Sequence, residues 1–223
     1  MSHFYQFPQK SKVPEGRQLI IFDFDGMLAD SFEAFHQLIK KSMAHIGLNL
    51  TKKQYQNFHI GNVHAGFKNF IKDQQKYLAF LKFRKANYDK YYKKVRLFPG
   101  AVKVLKKLSQ DYILSIASSG KQSQILRLLK KRKADKMFDT VLGTTEYTKE
   151  NMLKQIMKKH KTSPEHTIMI TDTVGDILVA KKTGLKTIAV TWGFHSKKIL
   201  VQAKPDKIVS DIKNLAAVLT LTK

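Results

Sequence analysis

Leu19-Ile20-Ile21-Phe22-Asp23-Phe24-Asp25-Gly26 decides how this chain folds. An apolar, β-favouring run over residues 18–24 leads straight into two acidic residues and a glycine, the pattern of a strand meeting a loop. A run apolar on both faces belongs inside a parallel sheet. In open α/β sheets ligands bind outside the carboxyl ends of the strands, so an Asp pair at that end stands where chemistry is done. Gly26 permits a turn close to a ligand.

Downstream, Leu97-Phe98-Pro99-Gly100 marks a boundary, after which strand and helix patterns alternate. Strands are expected near residues 112–117, 140–142, 166–171 and 186–191, with helices near 101–109, 121–132, 149–159 and 175–183. Residues 205–209 suit an edge strand before a terminal helix from about Asp211. This alternation predicts βαβ units and an α/β fold, a doubly wound, Rossmann-like parallel sheet. Residues 32–96 differ. They read as helical throughout, with no strand, punctuated by Gly47, Gly61 and Gly66. The expected organisation is therefore a core of residues 1–31 and 97–223 with an all-helical domain, 32–96, inserted into it. The last inserted segment, 74–95, carries Tyr77, Leu78, Leu81, Tyr88, Tyr91 and Tyr92, a stripe that reads as packing surface sooner than as a cofactor box.

The chain has 223 residues, 43% of them apolar, enough for a sizeable core. It has no cysteine, which excludes disulfides, cysteine-ligated zinc and thiol catalysis. Residues 1–17 contain no apolar leader core, and no run approaches the roughly 18 residues of a membrane span. A cytoplasmic protein with no membrane partner is expected. The formal net charge is +24. Residues 32–96 hold fourteen Lys/Arg against three Asp/Glu, a field that attracts anions. A general lysine bias on solvated helix faces explains most of it; steering of an anionic substrate comes next, and nucleic acid last, since no recognisable nucleic-acid module is present.

Four strand ends carry reactive groups: Asp23 with Asp25, Ser118 and Ser119 before Gly120, Lys149, and Asp172 with Asp176. Singly each is weak, because such residues commonly cap helices or line loops. Together they place paired carboxylates, hydroxyls and an amine at one edge of a sheet. That inventory suits a magnesium ion and a phosphoryl group. Magnesium needs only one or two protein carboxylates besides phosphate oxygen, which Asp23 and Asp172 can supply. A carboxylate nucleophile splits one hard hydrolysis into two easier steps. Asp23 suits that role and Asp25 the proton transfer, provided the chain turns at or just after Asp23. Ser118 and Ser119 can bind phosphate oxygens beside a helix N-terminus.

The stretch from Phe22 to Ser31 resembles the first motif of the haloacid dehalogenase-like hydrolase superfamily. Ser118 matches its second motif, Lys149 its third, and Asp172 with Asp176 its fourth. The helical insertion stands where one branch carries an α-helical cap. Residues 181–185 and 191–196, with Pro205-Asp206, are similar to phosphoglycolate phosphatase-like members. The resemblance spans residues 18–220. It implies a catalytic set of Asp23, Asp25 and Lys149, a magnesium site of Asp23, Asp25 (through its carbonyl), Asp172 and Asp176, and Ser118 on the phosphate. Two positions depart from the family pattern: Met27 replaces Thr or Val, and Thr171 replaces Gly. The Asp at position 25 argues against dehalogenation and phosphonate cleavage.

The expected function is magnesium-dependent hydrolysis of a small phosphorylated metabolite through an aspartyl-phosphate. A sugar phosphomutase on the same core, or a catalytically idle polyanion-binding protein, are the alternatives. Substrate selection is expected in the insertion, where His59-Ile60-Gly61-Asn62-Val63-His64, Gly66 and Lys68 read as a turn above the nucleophile. Asn62, His64 and Lys68 are the candidate substrate contacts there, against the plainer reading that the histidines cap helices or lie on the surface.

Overall fold

The computed structural model describes residues 17–143 and 148–220. Residues 1–16 and 221–223, assigned above to the core, lie outside the described residues.

The quoted stretch forms β1, Leu19–Phe22, buried at all four positions. A short β2, Ala29–Asp30, follows. Four helices come next: α1 (Phe32–His45), α2 (Lys52–Phe58), α3 (Val63–Ile71) and α4 (Gln74–Tyr92). The chain returns through β3, Arg96–Leu97, and then alternates: α5 (Ala101–Asp111), β4 (Ile113–Ser118), α6 (Gln122–Lys131), β5 (Thr140–Gly143), α7 (Lys149–His160), β6 (Thr167–Thr171), α8 (Val174–Lys182) and β7 (Lys186–Val190). A single-turn α9 (Lys197–Leu200), β8 (Lys207–Val209) and α10 (Leu215–Thr220) complete it.

Six strands form one sheet in the order β5-β4-β1-β6-β7-β8, and every pairing is parallel. Counting only these strands, the order is 3-2-1-4-5-6, the doubly wound arrangement whose ligand crevice lies where the winding reverses. That point falls between β1 and β6. Phe22 is in register with Ile116 of β4 and Ile170 of β6. The Asp23 amide extends the ladder by one bond to the Ile170 carbonyl, at 2.9 Å. Asp23 and Asp172 are thereby the first residues beyond the two strands flanking the reversal.

The expected α/β fold with an inserted helical block is therefore present, with two differences. Arg96, read as part of the helical block, pairs with Asp30, and Ala29 pairs with Leu97, in a two-stranded antiparallel ribbon. Two-residue strands carry no periodic signal. The ribbon ties together the points where the chain leaves and re-enters the α/β layer. Gly66 does not punctuate a turn but lies inside α3, where a Cβ would come within 2.9 Å of the Phe58 ring. The turn is confined to residues 59–62. One apolar cluster runs from Phe22 and Ile116 of the sheet into Phe67, Phe80 and Tyr92 of the insert.

Candidate active site

Asp23 is 7% exposed and Asp172 fully buried. Gly26 has φ +86, a left-handed conformation that glycine adopts without strain. A Cβ there would collide with Asp172, so the turn after β1 passes against the end of β6 only because the position is glycine. It also returns Asp25 to the site: a Cβ on Gly120 would meet Asp25 Oδ2 at 2.9 Å and Ser118 Oγ at 3.3 Å. The two carboxylates of the first motif and the loop after β4 thus face one space.

Lys149 opens α7, whose N-terminus Thr148 caps by accepting the Asn151 amide. Its buried ammonium reaches back to three groups: Asp23 Oδ1 at 2.8 Å, Asp176 Oδ2 at 2.9 Å and the Ala117 carbonyl at 2.8 Å. Burial works against its charge, but Asp176 and Asp23 override that and push its pKa up. Lys149 is therefore a fixed cation. Asp176 sits in the first turn of α8, and its Oδ2 also accepts the Thr171 hydroxyl at 3.2 Å. Thr171, one of the two departures noted in the sequence, thus orients the carboxylate that holds Lys149. Met27, the other, is fully buried, and its carbonyl accepts the Trp192 indole N–H at 3.0 Å.

Ser118 is buried and its Oγ accepts the Gly120 amide at 3.0 Å. A hydroxyl that accepts one bond still has a proton to donate. Ser119 is exposed on the loop.

The charge balance is uneven. Burial, followed by repulsion from Asp176 and opposed by Lys149, raises Asp23 to about 6. Burial and then the Asp23 charge raise Asp25 to about 7, with the nearby Ser31 hydroxyl opposing. Burial and Asp23 also push Asp172 well above the usual carboxylate range. Asp172 Oδ2 accepts the Phe194 amide at 2.6 Å. Among the described residues, the buried Oδ1 atoms of Asp25 and Asp172 have no hydrogen-bond partner. Among the described residues no three His, Asp or Glu side chains form a ready-made metal cage. The fit to magnesium is instead one of donor type: hard, partnerless carboxylate oxygens in a site with one cation for four acids. Asp176, with Oδ2 held by Lys149 and Thr171, is tied to the ammonium.

The insert closes over this floor at two places. Gln56 of α2 donates to the Phe194 carbonyl at 2.7 Å, and its own carbonyl lies 2.9 Å from His195 Nε2. His195 Nδ1 accepts the Val174 amide at 3.0 Å, which fixes the tautomer with the proton on Nε2. Gly175 N–H reaches the His59 carbonyl at 3.2 Å. On the other side, Asp89 of α4 accepts Gln124 at 2.7 Å and lies 3.9 Å from Lys121, just after the Ser118 loop.

Of the three cap candidates, Asn62 is exposed and its Oδ1 caps α3, accepting the His64 and Ala65 amides. Lys68 is exposed on α3, and among the described residues no hydrogen bond or ion pair joins it to the site. His64 is half-buried, and burial and then Arg84 hold its pKa down. Sequence reasoning missed Arg84, Gln56 and the Phe194 amide. A lone Arg or Gln on a helix carries no motif, and a backbone donor has no residue signature.

The family model for haloacid dehalogenase-like hydrolase matches residues 20–190. A phosphoglycolate phosphatase of Aliivibrio fischeri is 24% identical over 94% of this chain and 99% of its own length. The pyrophosphatase PpaX of Oceanobacillus iheyensis is 27% identical, over 89% of this chain and 95% of its own length. Among solved structures, a haloacid dehalogenase-like family hydrolase from Streptococcus pneumoniae superposes with a TM-score of 0.81 and 25% identity, covering 91% of this chain and 98% of that one.

Proposed function

The chain belongs to the haloacid dehalogenase-like hydrolase family, and on that premise we propose that it is a magnesium-dependent phosphatase of a small phosphorylated metabolite. The observation that carries this reading is the Asp23–Lys149–Asp176 cluster facing Asp25 and the Ser118 loop. It supplies a nucleophile, a fixed cation, a proton carrier and a phosphate cradle at one sheet reversal.

Lys149 and the Ser118 loop hold the phosphoryl oxygens while an Asp23 oxygen attacks phosphorus. The bond from phosphorus to the ester oxygen breaks as the Asp25 proton passes to that leaving oxygen. Asp25, now ionised, takes a proton from water, whose oxygen attacks the phosphorus of the Asp23 acyl phosphate and frees inorganic phosphate. One group must be acid and then base, which works best with a pKa near the working pH. Asp25, raised to about 7, meets that condition.

Asp23, Asp172 and the Asp25 carbonyl would hold magnesium, which when bound neutralises charge on nucleophile and phosphate. Asp176 then serves as the anchor of Lys149. The helical block 32–96 acts as a cap that excludes water from the first step. The relatives' names point to phosphoglycolate or pyrophosphate as first substrates to try.

The test is phosphate release across a panel of small phosphoesters, with magnesium and with chelator. Metal-dependent release from at least one is expected. Release from none, or isomerisation without release, would overturn the reading.

A further inference from the structure

One face of α4 carries Arg84, Tyr88 and Tyr92, spaced four residues apart and hence stacked on consecutive turns. The Tyr88 and Tyr92 rings are 5.7 Å apart and nearly parallel, and both pack on Phe35. Their hydroxyls are buried and, among the described residues, have no hydrogen-bond partner. Burial and then the Asp25 charge push their pKa values up, with the nearby Lys121 backbone opposing at Tyr88. The Lys121 ammonium, just after the Ser118 loop, lies 4.7 Å from the Tyr88 ring centroid, so the ladder starts beside that loop and climbs α4 into the cap.

Arg84 stands one turn above Tyr88, about 6 Å along the axis. Its guanidinium lies 6.0 Å from the ring centroids of Phe67 and Phe80. Burial lowers its pKa, and the groups that oppose this are the hydroxyls of Tyr55, Tyr77 and Tyr88 rather than a carboxylate. Among the described residues no acid pairs with it, and Asp89, the acid nearest in sequence, is held by Gln124 and Lys121. Aromatic packing accounts for where the guanidinium sits, but among the described residues no hydrogen bond takes up its five N–H donors. A largely buried cation without an anion is costly. A buried tyrosine hydroxyl normally finds a partner. Three such groups on one face of α4, beside the segment that follows the Ser118 loop, describe a receptor for a ligand.

We propose that Arg84, with the Tyr88 and Tyr92 hydroxyls below it, binds a second anionic group on the substrate, so that the enzyme selects small phosphate esters or anhydrides bearing a carboxylate or phosphate at the far end. The proposal rests on the phosphatase reading of the Asp23 site. It moves specificity from the 59–68 segment, where Asn62 is a helix cap, to α4. The forked guanidinium suits a planar carboxylate or a phosphate through two parallel hydrogen bonds.

The test compares phosphoglycolate and pyrophosphate with ethyl phosphate, which has a neutral tail of similar size, in the full chain. The wild type is expected to favour the first two. In Arg84→Met, which keeps a long apolar stem against Phe67 and Phe80, the ratio of kcat/KM for phosphoglycolate over ethyl phosphate should fall about tenfold or more, the scale of one charged contact. Arg84→Lys should recover part of that ratio, because a point charge lacks the fork. An unchanged ratio in Arg84→Met, or a wild type that favours ethyl phosphate, would overturn the proposal. Calorimetric titration of phosphoglycolate into Asp23→Asn, with and without Arg84→Met, gives a readout free of turnover. About tenfold weaker binding supports the proposal; equal binding, or none to either protein, overturns it. Failure of the phosphatase reading shows differently, as wild-type inactivity on every ester, including ethyl phosphate.

Discussion

The floor of the site and its roof treat their buried cations in opposite ways. On the floor, Lys149 is held by two carboxylates and a carbonyl, Asp176 by Lys149 and Thr171, and Asp172 by the Phe194 amide. In the roof, among the described residues, no acid pairs with Arg84, and the Tyr88 and Tyr92 hydroxyls and His59 Nε2 have no hydrogen-bond partner. A preorganised floor fits one chemistry, because its dipoles need not rearrange as the reaction proceeds. A roof whose cation lacks an acid fits a ligand that brings one. The difference teaches where catalysis ends and selection begins.

The largest expected effect breaks the floor. Asp23→Asn is nearly isosteric but cannot attack phosphorus, and turnover should fall by about 10,000-fold or more, the scale of losing a covalent nucleophile. Both anionic-tail and neutral-tail esters should lose alike. Near-normal steady-state rates would remove Asp23 from its role.

Asp25→Asn comes second, with a loss of about 100- to 10,000-fold in both formation and breakdown of the phospho-enzyme. The same variant tests the origin of the raised pKa. Asp25 moves from 3.8 to about 7 on folding, so between those values the unfolded chain has released a proton that the folded chain keeps. Stability from this group is present below pH 3.8 and lost as pH rises towards about 7. The thermal unfolding midpoint of the metal-free protein should therefore fall from pH 4 to 7 more steeply in wild type than in Asp25→Asn. Parallel slopes would show that burial does not hold the proton there.

Gln56→Leu addresses the join between floor and roof. Losing its bond to the Phe194 carbonyl should lower kcat/KM by about three- to tenfold, the range of one hydrogen bond. The loss should be equal for phosphoglycolate and ethyl phosphate, unlike that in Arg84→Met. A loss confined to the anionic-tail substrate would make Gln56 part of the receptor instead.

The smallest effect falls on a residue that the sequence made prominent. Asn62→Ala should cost about 1 kcal/mol of stability, the ordinary value of an N-cap, visible as a lower denaturant midpoint. kcat/KM should hardly move, and a tenfold fall would return Asn62 to substrate contact.

How much was legible follows from how each signal is encoded. β1 announced itself because a strand buried on both faces must be apolar throughout, and Leu19 to Phe22 are. Asp23, Lys149 and Asp172 were legible because loops after parallel strands converge by topology, before any side chain is placed. Asp176 was found as an acid, but its tie to Lys149 depended on the helical turn after Thr173. The ribbon of β2 and β3 was not legible, since two residues have no period.

The sequence alone determined the alternation of strands and helices, the helical insert and the acids at the strand ends, all properties of local pattern and chain order. The tertiary structure alone decided that Thr171 orients Asp176, that Gln56 and His195 join insert to core across more than a hundred residues, and that Arg84 finds no carboxylate among the described residues. Partnership is a property of space. A charged residue on a helix reads the same whether it meets an acid, water or an empty chamber, and only packing of the helix against its neighbours tells these apart.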